Sequence, residues 1–153
     1  FNFWMFGGAL ENQWKYMNLP DVVPMLGDAG AHVGFFTDTD SPTVLLSELT
    51  RKHGVYTLPD AVHRITGKSA QIIGLKERGE LREGWHADIN VIDYENLSTT
   101  HANYVNDFPH GVGRFVVKGI GYEATIVSGE IVTRNGEYTG NRPGSVIREF
   151  IRG

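Results

Sequence analysis

A change of rhythm near residues 75 to 84 constrains this chain more than any other feature. Before it, helix start and stop signals recur in close succession. Ser41-Pro42 reads as an N-cap followed by proline at the first helical position. Val44, Leu45 and Leu49 then share one apolar face, and Gly54 ends the helix after Lys52-His53. Thr57-Leu58-Pro59-Asp60 opens a second helix, whose buried face is expected to be Ala61, Val62 and Ile65. Gly67 interrupts it, and Ser69 is expected to cap a third helix that stops at Gly74. Upstream, Glu11 to Met17 fits a short helix.

From Gly79 onward the chain is turn-rich and β-branched. Residues 87 to 93 alternate with period two, and 114 to 118, 124 to 127 and 130 to 134 read as further strands. Ser128-Gly129 and Asn135-Gly136 are tight-turn pairs, the second a common two-residue hairpin. This half is expected to be antiparallel with one buried face. The run Val22-Val23-Pro24-Met25-Leu26 makes residues 21 to 27 a candidate buried strand on the helical side of the boundary.

A chain of 153 residues can bury one real core but is too short for a complete eight-stranded α/β barrel. Its formal net charge of −4 supplies no basic footprint, which argues against nucleic acid as a partner. No apolar run approaches the roughly 20 residues of a membrane helix. Cysteine is absent, which rules out disulfides and thiolate metal ligation and fits a reducing, cytoplasmic setting. The opening Phe1-Asn2-Phe3-Trp4-Met5-Phe6 lacks the basic flank of a signal peptide. Its four aromatics would be costly in water, so this end is expected to continue into more protein or to pack on a partner.

The candidate chemistry follows the apolar run, in Leu26-Gly27-Asp28-Ala29-Gly30-Ala31-His32-Val33. A carboxylate among small residues at the end of a strand is where an α/β barrel places chemistry. Most loop aspartates, however, cap turns or helices, and Asp28 alone fits both readings. His32, four residues on in the same loop, is the second candidate. Other motifs are weaker. Gly119-Ile120-Gly121-Tyr122-Glu123-Ala124 formally matches a dinucleotide fingerprint, but strand chemistry follows where a helix is required. Asp38-Thr39-Asp40 begins like a calcium loop without its glycine or distal glutamate, so helix-capping acids are expected there. Asn96-Leu97-Ser98 is a glycosylation sequon of low specificity. The six histidines form no metal-binding pair by spacing.

Several blocks together resemble the C-terminal part of the amidohydrolase superfamily, in particular its N-acyl-D-amino-acid deacylase branch. They are residues 27 to 32, 58 to 66, 74 to 79, 81 to 89 and 125 to 132, and then Gly136-Glu137-Tyr138-Thr139-Gly140 with Arg142-Pro143-Gly144. The Gly79, Gly84 and Ala87-Asp88 pattern is common among amidohydrolases. The Asp-Ala-Gly-Ala-His string and the Thr-Gly-x-x-Pro-Gly ending point to the deacylase group.

The resemblance implies an α/β fold: residues 1 to 78 as the last strand and helices of a metal-dependent TIM barrel, residues 79 to 153 as part of a small β-sandwich. It implies Asp28 as the catalytic acid–base group and a ligand of zinc, and His32 as a substrate contact. The implied substrate is a small N-acyl amino acid, cleaved at its amide bond. The rest of the ligand set has no counterpart here, so an isolated segment is expected to be inactive, to hold no zinc and to self-associate. Two other functions remain: a cyclic amide hydrolase of hydantoinase or dihydropyrimidinase type, and a non-catalytic β-rich module for oligomerisation or binding.

Overall fold

The computed structural model describes residues 10–24, 27 and 30–151. The helical half holds α1 (Leu10–Met17), α2 (Ser41–Val44) running straight into a π-helical segment (Leu45–Lys52), α3 (Leu58–Ile65) and α4 (Gly67–Ile73). Thr57 starts α3 as its sequence signal predicts, its hydroxyl accepting the Asp60 N–H at 3.3 Å. Two other starts differ from expectation. Asp40, not Ser41, occupies the N-cap of α2, without a side-chain cap bond. Helix α4 begins at Gly67, and the Ser69 hydroxyl donates to the Arg64 carbonyl at 2.7 Å instead of capping.

The π-helical widening has a local cause. The hydroxyls of Ser47 and Thr50 turn back on the carbonyls of Thr43 and Leu45, both at 2.8 Å, and the His53 N–H reaches the Glu48 carbonyl five residues back. The wider turn brings Leu45, Leu46, Ser47, Leu49 and Thr50 all into the interior. On α3 the buried positions are Ala61 and Arg64, while Val62 lies exposed, contrary to expectation.

The β half is a nested antiparallel hairpin. Strands β1 (Ile89–Ile92), β2 (Ser98–Thr99) and β3 (Asn103–Val105) run out to a 3-10 turn (Pro109–Gly111). Strands β4 (Arg114–Val116), β5 (Gly119–Ile120) and β6 (Tyr122–Val127) return, pairing β3 with β4, β2 with β5 and β1 with β6. Strands β7 (Glu130–Arg134) and β8 (Glu137–Tyr138) extend the sheet in the order β1-β6-β7-β8. Both residues of each connecting pair, Ser128-Gly129 and Asn135-Gly136, have positive φ, as tight hairpins of this hand require. The expected alternation in β1 is broken by an irregularity between Val91 and Ile92, leaving Ile89 and Ile92 half-buried.

Helices and strands share one core, made of Leu45, Leu46, Leu49, Tyr56, Ala61 and Leu97. Leu97 is its only member from the β half among the described residues. It arrives on a turn closed by Asp93, whose carboxylate accepts the Asn96 side-chain amide at 2.7 Å and the Asn96 N–H at 3.3 Å. Those bonds, the side-chain one first, hold the Asp93 pKa below its ordinary value. Arg51 fastens the π-helical segment to this turn by donating to the carbonyls of Tyr94 and Leu97. Gly121 sits where its φ is +89° and where a Cβ would lie 2.9 Å from the Asp93 carbonyl oxygen, so the formal dinucleotide fingerprint is a strand connection.

One expectation of the fold is revised. Among its described residues the segment 21–27 contains no strand: Asp21 is in a turn, and 22–24 and 27 lie in no regular element. Pro24 removes one ladder donor from this segment, residues 25 and 26 lie outside the described residues, and every strand pair among the described residues is antiparallel.

Candidate functional site

Asp28 lies outside the described residues, so its placement is approached through the chain on both sides. On the upstream side two basic residues hold the backbone. Arg64, only 8% exposed, donates through Nη1 to the carbonyls of Met17 (3.0 Å) and Val22 (3.1 Å). Its Nε reaches the Asp60 carboxylate at 3.1 Å, and its guanidinium lies 4.9 Å from the centre of the Tyr56 ring. Lys68 donates to the Pro20 carbonyl. Burial pushes the Tyr56 phenol above its ordinary pKa, with the Arg64 charge pulling the other way.

Downstream, the loop at 30–36 docks on the β3–β4 hairpin, where the Phe115 N–H donates to the Val33 carbonyl at 2.7 Å. Next to residue 28 itself, Gly27 faces the Asp38 side chain. A Cβ built on Gly27 would overlap Asp38 Oδ2 and lie 2.6 Å from Cγ and 2.9 Å from Oδ1. The expected helix-capping role of Asp38 is thus replaced by a side-chain approach to the Gly27 backbone.

His32 is exposed, with its ring stacked on Phe36 at 5.7 Å between centres and 25° between planes. Its carbonyl accepts the N–H groups of Phe35 (2.9 Å) and Phe36 (3.2 Å), which closes the loop turn. The other five histidines are also exposed. Among the described residues no three His, Cys, Asp or Glu side chains gather where they could hold a metal ion. A catalytic zinc site takes three protein ligands, so the described residues do not fit one by themselves.

A polar cleft of about 310 Å³ opens between the start of α2 and the sheet, lined in part by Asp40, Thr43, Asn90, Tyr122 and Thr125. The Thr43 hydroxyl and the Tyr122 phenol bond across it at 2.8 Å. Among the described residues that line it, His32 is absent and Asp40 is the one carboxylate. With no base beside a nucleophile, we assign it no chemistry.

Asp88, in the widely shared Ala87-Asp88 pattern, has a structural task. Its carboxylate pairs with Arg78 and accepts the Ser128 N–H at 2.9 Å, tying the strand entry to the β6–β7 turn. Asp88→Ala is expected to cost about 1–2 kcal/mol of unfolding free energy, the net worth of a charge-assisted bond at a part-exposed site. A denaturant titration with an unchanged midpoint would refute that role.

Two residues at this site escaped the sequence reading. Arg64 carries a visible signal: it stands four residues after Asp60 and three after Ala61, which puts a cation on the buried face of α3. For Asp38, ten residues from Asp28, followed by one further loop acid at Asp40 and expected to cap a helix, no local pattern marks its approach to Gly27.

The helices followed by antiparallel sheets, with an acid-bearing loop before them, find their counterpart among hydrolytic enzymes. The profile of the amidohydrolase family matches residues 14–133, and the chain belongs to that family. Within it, the chain resembles D-aminoacylase and its relatives. It is 37% identical over 106 residues to the N-acyl-D-aspartate deacylase of Alcaligenes xylosoxydans xylosoxydans, covering 69% of this chain and 19% of that protein. A D-aminoacylase mutant solved in complex with copper chloride matches with a TM-score of 0.56 at 29% identity, over 71% of this chain and 21% of the other. A dihydroorotase of Lactobacillus acidophilus is 32% identical over 73 residues, 48% of this chain and 17% of that protein. The chain spans about a fifth of the length of these relatives.

Proposed function

We propose that this chain is the C-terminal part of a metal-dependent amidohydrolase that cleaves the amide bond of N-acyl-D-amino acids. The observation that carries the reading is the 37% identity to an N-acyl-D-aspartate deacylase over 106 residues, a stretch that takes in most of the chain. In the whole enzyme residues 1 to 78 complete the barrel and residues 79 to 153 contribute to the sandwich. The passage from helices ending at Ile73 to strands beginning at Ile89 supports that division.

Asp28 is the residue we assign to acid–base work. A carboxylate held at the attacking water takes its proton, and the same group returns it to the leaving amine. Asp28 is also one ligand of the metal, for which zinc, redox-inert and tolerant of oxygen and nitrogen donors, is the proposed ion. Because the described residues supply no ligand set, the remaining ligands belong to the rest of the enzyme, and residues 1–153 alone are expected to be inactive. His32, exposed at the rim of the same loop, is the proposed substrate contact.

The likeness to a dihydroorotase favours one second reading, hydrolysis of a cyclic amide. The full-length enzyme, assayed for amino-acid release from N-acyl-D-amino acids and for ring opening of dihydroorotate, separates the two. Selective release of the D-amino acid is expected. Ring opening without deacylation overturns the reading.

A further inference from the structure

We infer that Asp38 is a positioning residue that fixes the backbone on which Asp28 is carried; the inference rests on the assignment of Asp28 above. Three observations converge. First, the Asp38 carboxylate occupies the space a side chain at Gly27 would need, and Gly27 is the residue immediately before Asp28. The missing side chain of Gly27 permits the close approach of Asp38. Second, Asp38 Oδ1 is shielded from solvent and Asp38 is not without partners. A carboxylate withdrawn from water is stable only when donors or charges face it, so the placement of Asp38 is constrained by its surroundings. Third, the Asp38 main chain is anchored: its carbonyl accepts the Ser41 N–H at 3.3 Å, at the entry to α2, which runs directly into the buried π-helical segment. A short side chain on an anchored backbone cannot swing away cheaply. Asp38 therefore transmits the position of α2 to the residue preceding the acid–base group.

The chemistry explains why this matters for turnover rather than binding. A proton-transferring carboxylate works only within hydrogen-bond reach of the water it activates, and displacement by about 1 Å costs on the order of 100-fold in rate. Removing the contact nearest to residue 28 loosens that registration even where the anchors farther along the chain remain.

The test uses the full-length enzyme and four variants: Asp38→Ala, Asp38→Asn, Gly27→Ala and the Gly27→Ala/Asp38→Ala pair, with Asp28→Asn as control. Asp38→Ala is expected to lower kcat by about 10-fold or more while KM stays within about 2-fold, the signature of lost registration. Asp38→Asn, which keeps the size of the side chain and one acceptor oxygen, should retain more activity than the alanine variant and covers the case in which the latter fails to fold. Gly27→Ala alone should impair the enzyme by pushing the carboxylate away. In the pair the space is vacated, so the combined loss should fall well short of the product of the two single losses. A kcat unchanged in Asp38→Ala beside an inactive Asp28→Asn overturns the positioning role and leaves the assignment of Asp28 standing. Strictly multiplicative effects of Gly27→Ala and Asp38→Ala overturn the contact itself. Near-normal turnover in Asp28→Asn overturns the site assignment, and the positioning role with it.

Discussion

Asp28→Asn in the full-length enzyme should lower kcat by at least ~100-fold, the usual worth of a positioned acid–base group. Asparagine keeps the size of the side chain and one of its acceptor oxygens. It cannot take a proton at working pH, so the attacking water keeps its own and the leaving amine departs unprotonated. Because substrate binding does not require that transfer, KM should change far less than kcat. Steady-state release of the free amino acid measures both constants. A variant with near-normal turnover would return Asp28 to the ordinary role of loop aspartates, capping a turn.

What the sequence disclosed follows the range of the interactions involved. The Thr57 cap, the Gly74 stop and the Asn135-Gly136 turn depend on neighbours within a few residues, and each stands where the local signal put it. Pairing between β6 and β7 was legible for the same reason, since a two-residue connection brings the two strands side by side. Strands of two or three residues, such as β2, β3 and β5, are too short to show a period. They exist because β1–β6 pairing brings the chain back on itself. The N-cap of α2 moved by one residue, and the helix continues as the wider π-helical segment because the hydroxyls of Ser47 and Thr50 compete for backbone carbonyls.

The failures share a cause as well. Residues 21 to 27 have the composition of a buried strand, but a strand requires a neighbour with free donors and acceptors, and composition does not reveal whether one is present. Val62 has the apolar character of a core residue and lies exposed, while Arg64 is a cation and lies inside. Of the expected apolar face of α3, Ala61 is buried, Ile65 is half-buried against the core and Val62 is exposed. At the site, the motif around residue 28 was visible as a string, whereas the residues that hold the chain on either side of it arrive from the loop before α2, from α3 and from β4. Their contacts with it span 11 residues from Asp38 to Gly27, 42 from Arg64 to Val22 and, at Phe115, a different half of the chain.

Arg64→Met should destabilise the protein by about 2–4 kcal/mol, the largest loss of stability we expect from one side chain near the site. Methionine replaces much of the apolar stem, so packing against Tyr56 changes little. The donors are what disappears. The carbonyls of Met17 and Val22 lose a charged partner in a part-buried setting, and a hydrogen bond to a charged group is worth about 1.5–3 kcal/mol net. Asp60 adds little, because its side chain is 44% exposed and recovers water when the pair breaks, so Asp60→Asn alone should cost under ~1 kcal/mol. Arg64→Lys restores the charge but cannot fork to two carbonyls while still reaching Asp60, and should fall between the wild type and methionine. Denaturant titrations at unchanged slope read all three variants. If the methionine variant unfolds at the wild-type midpoint, the segment before Asp28 is held by something other than this guanidinium.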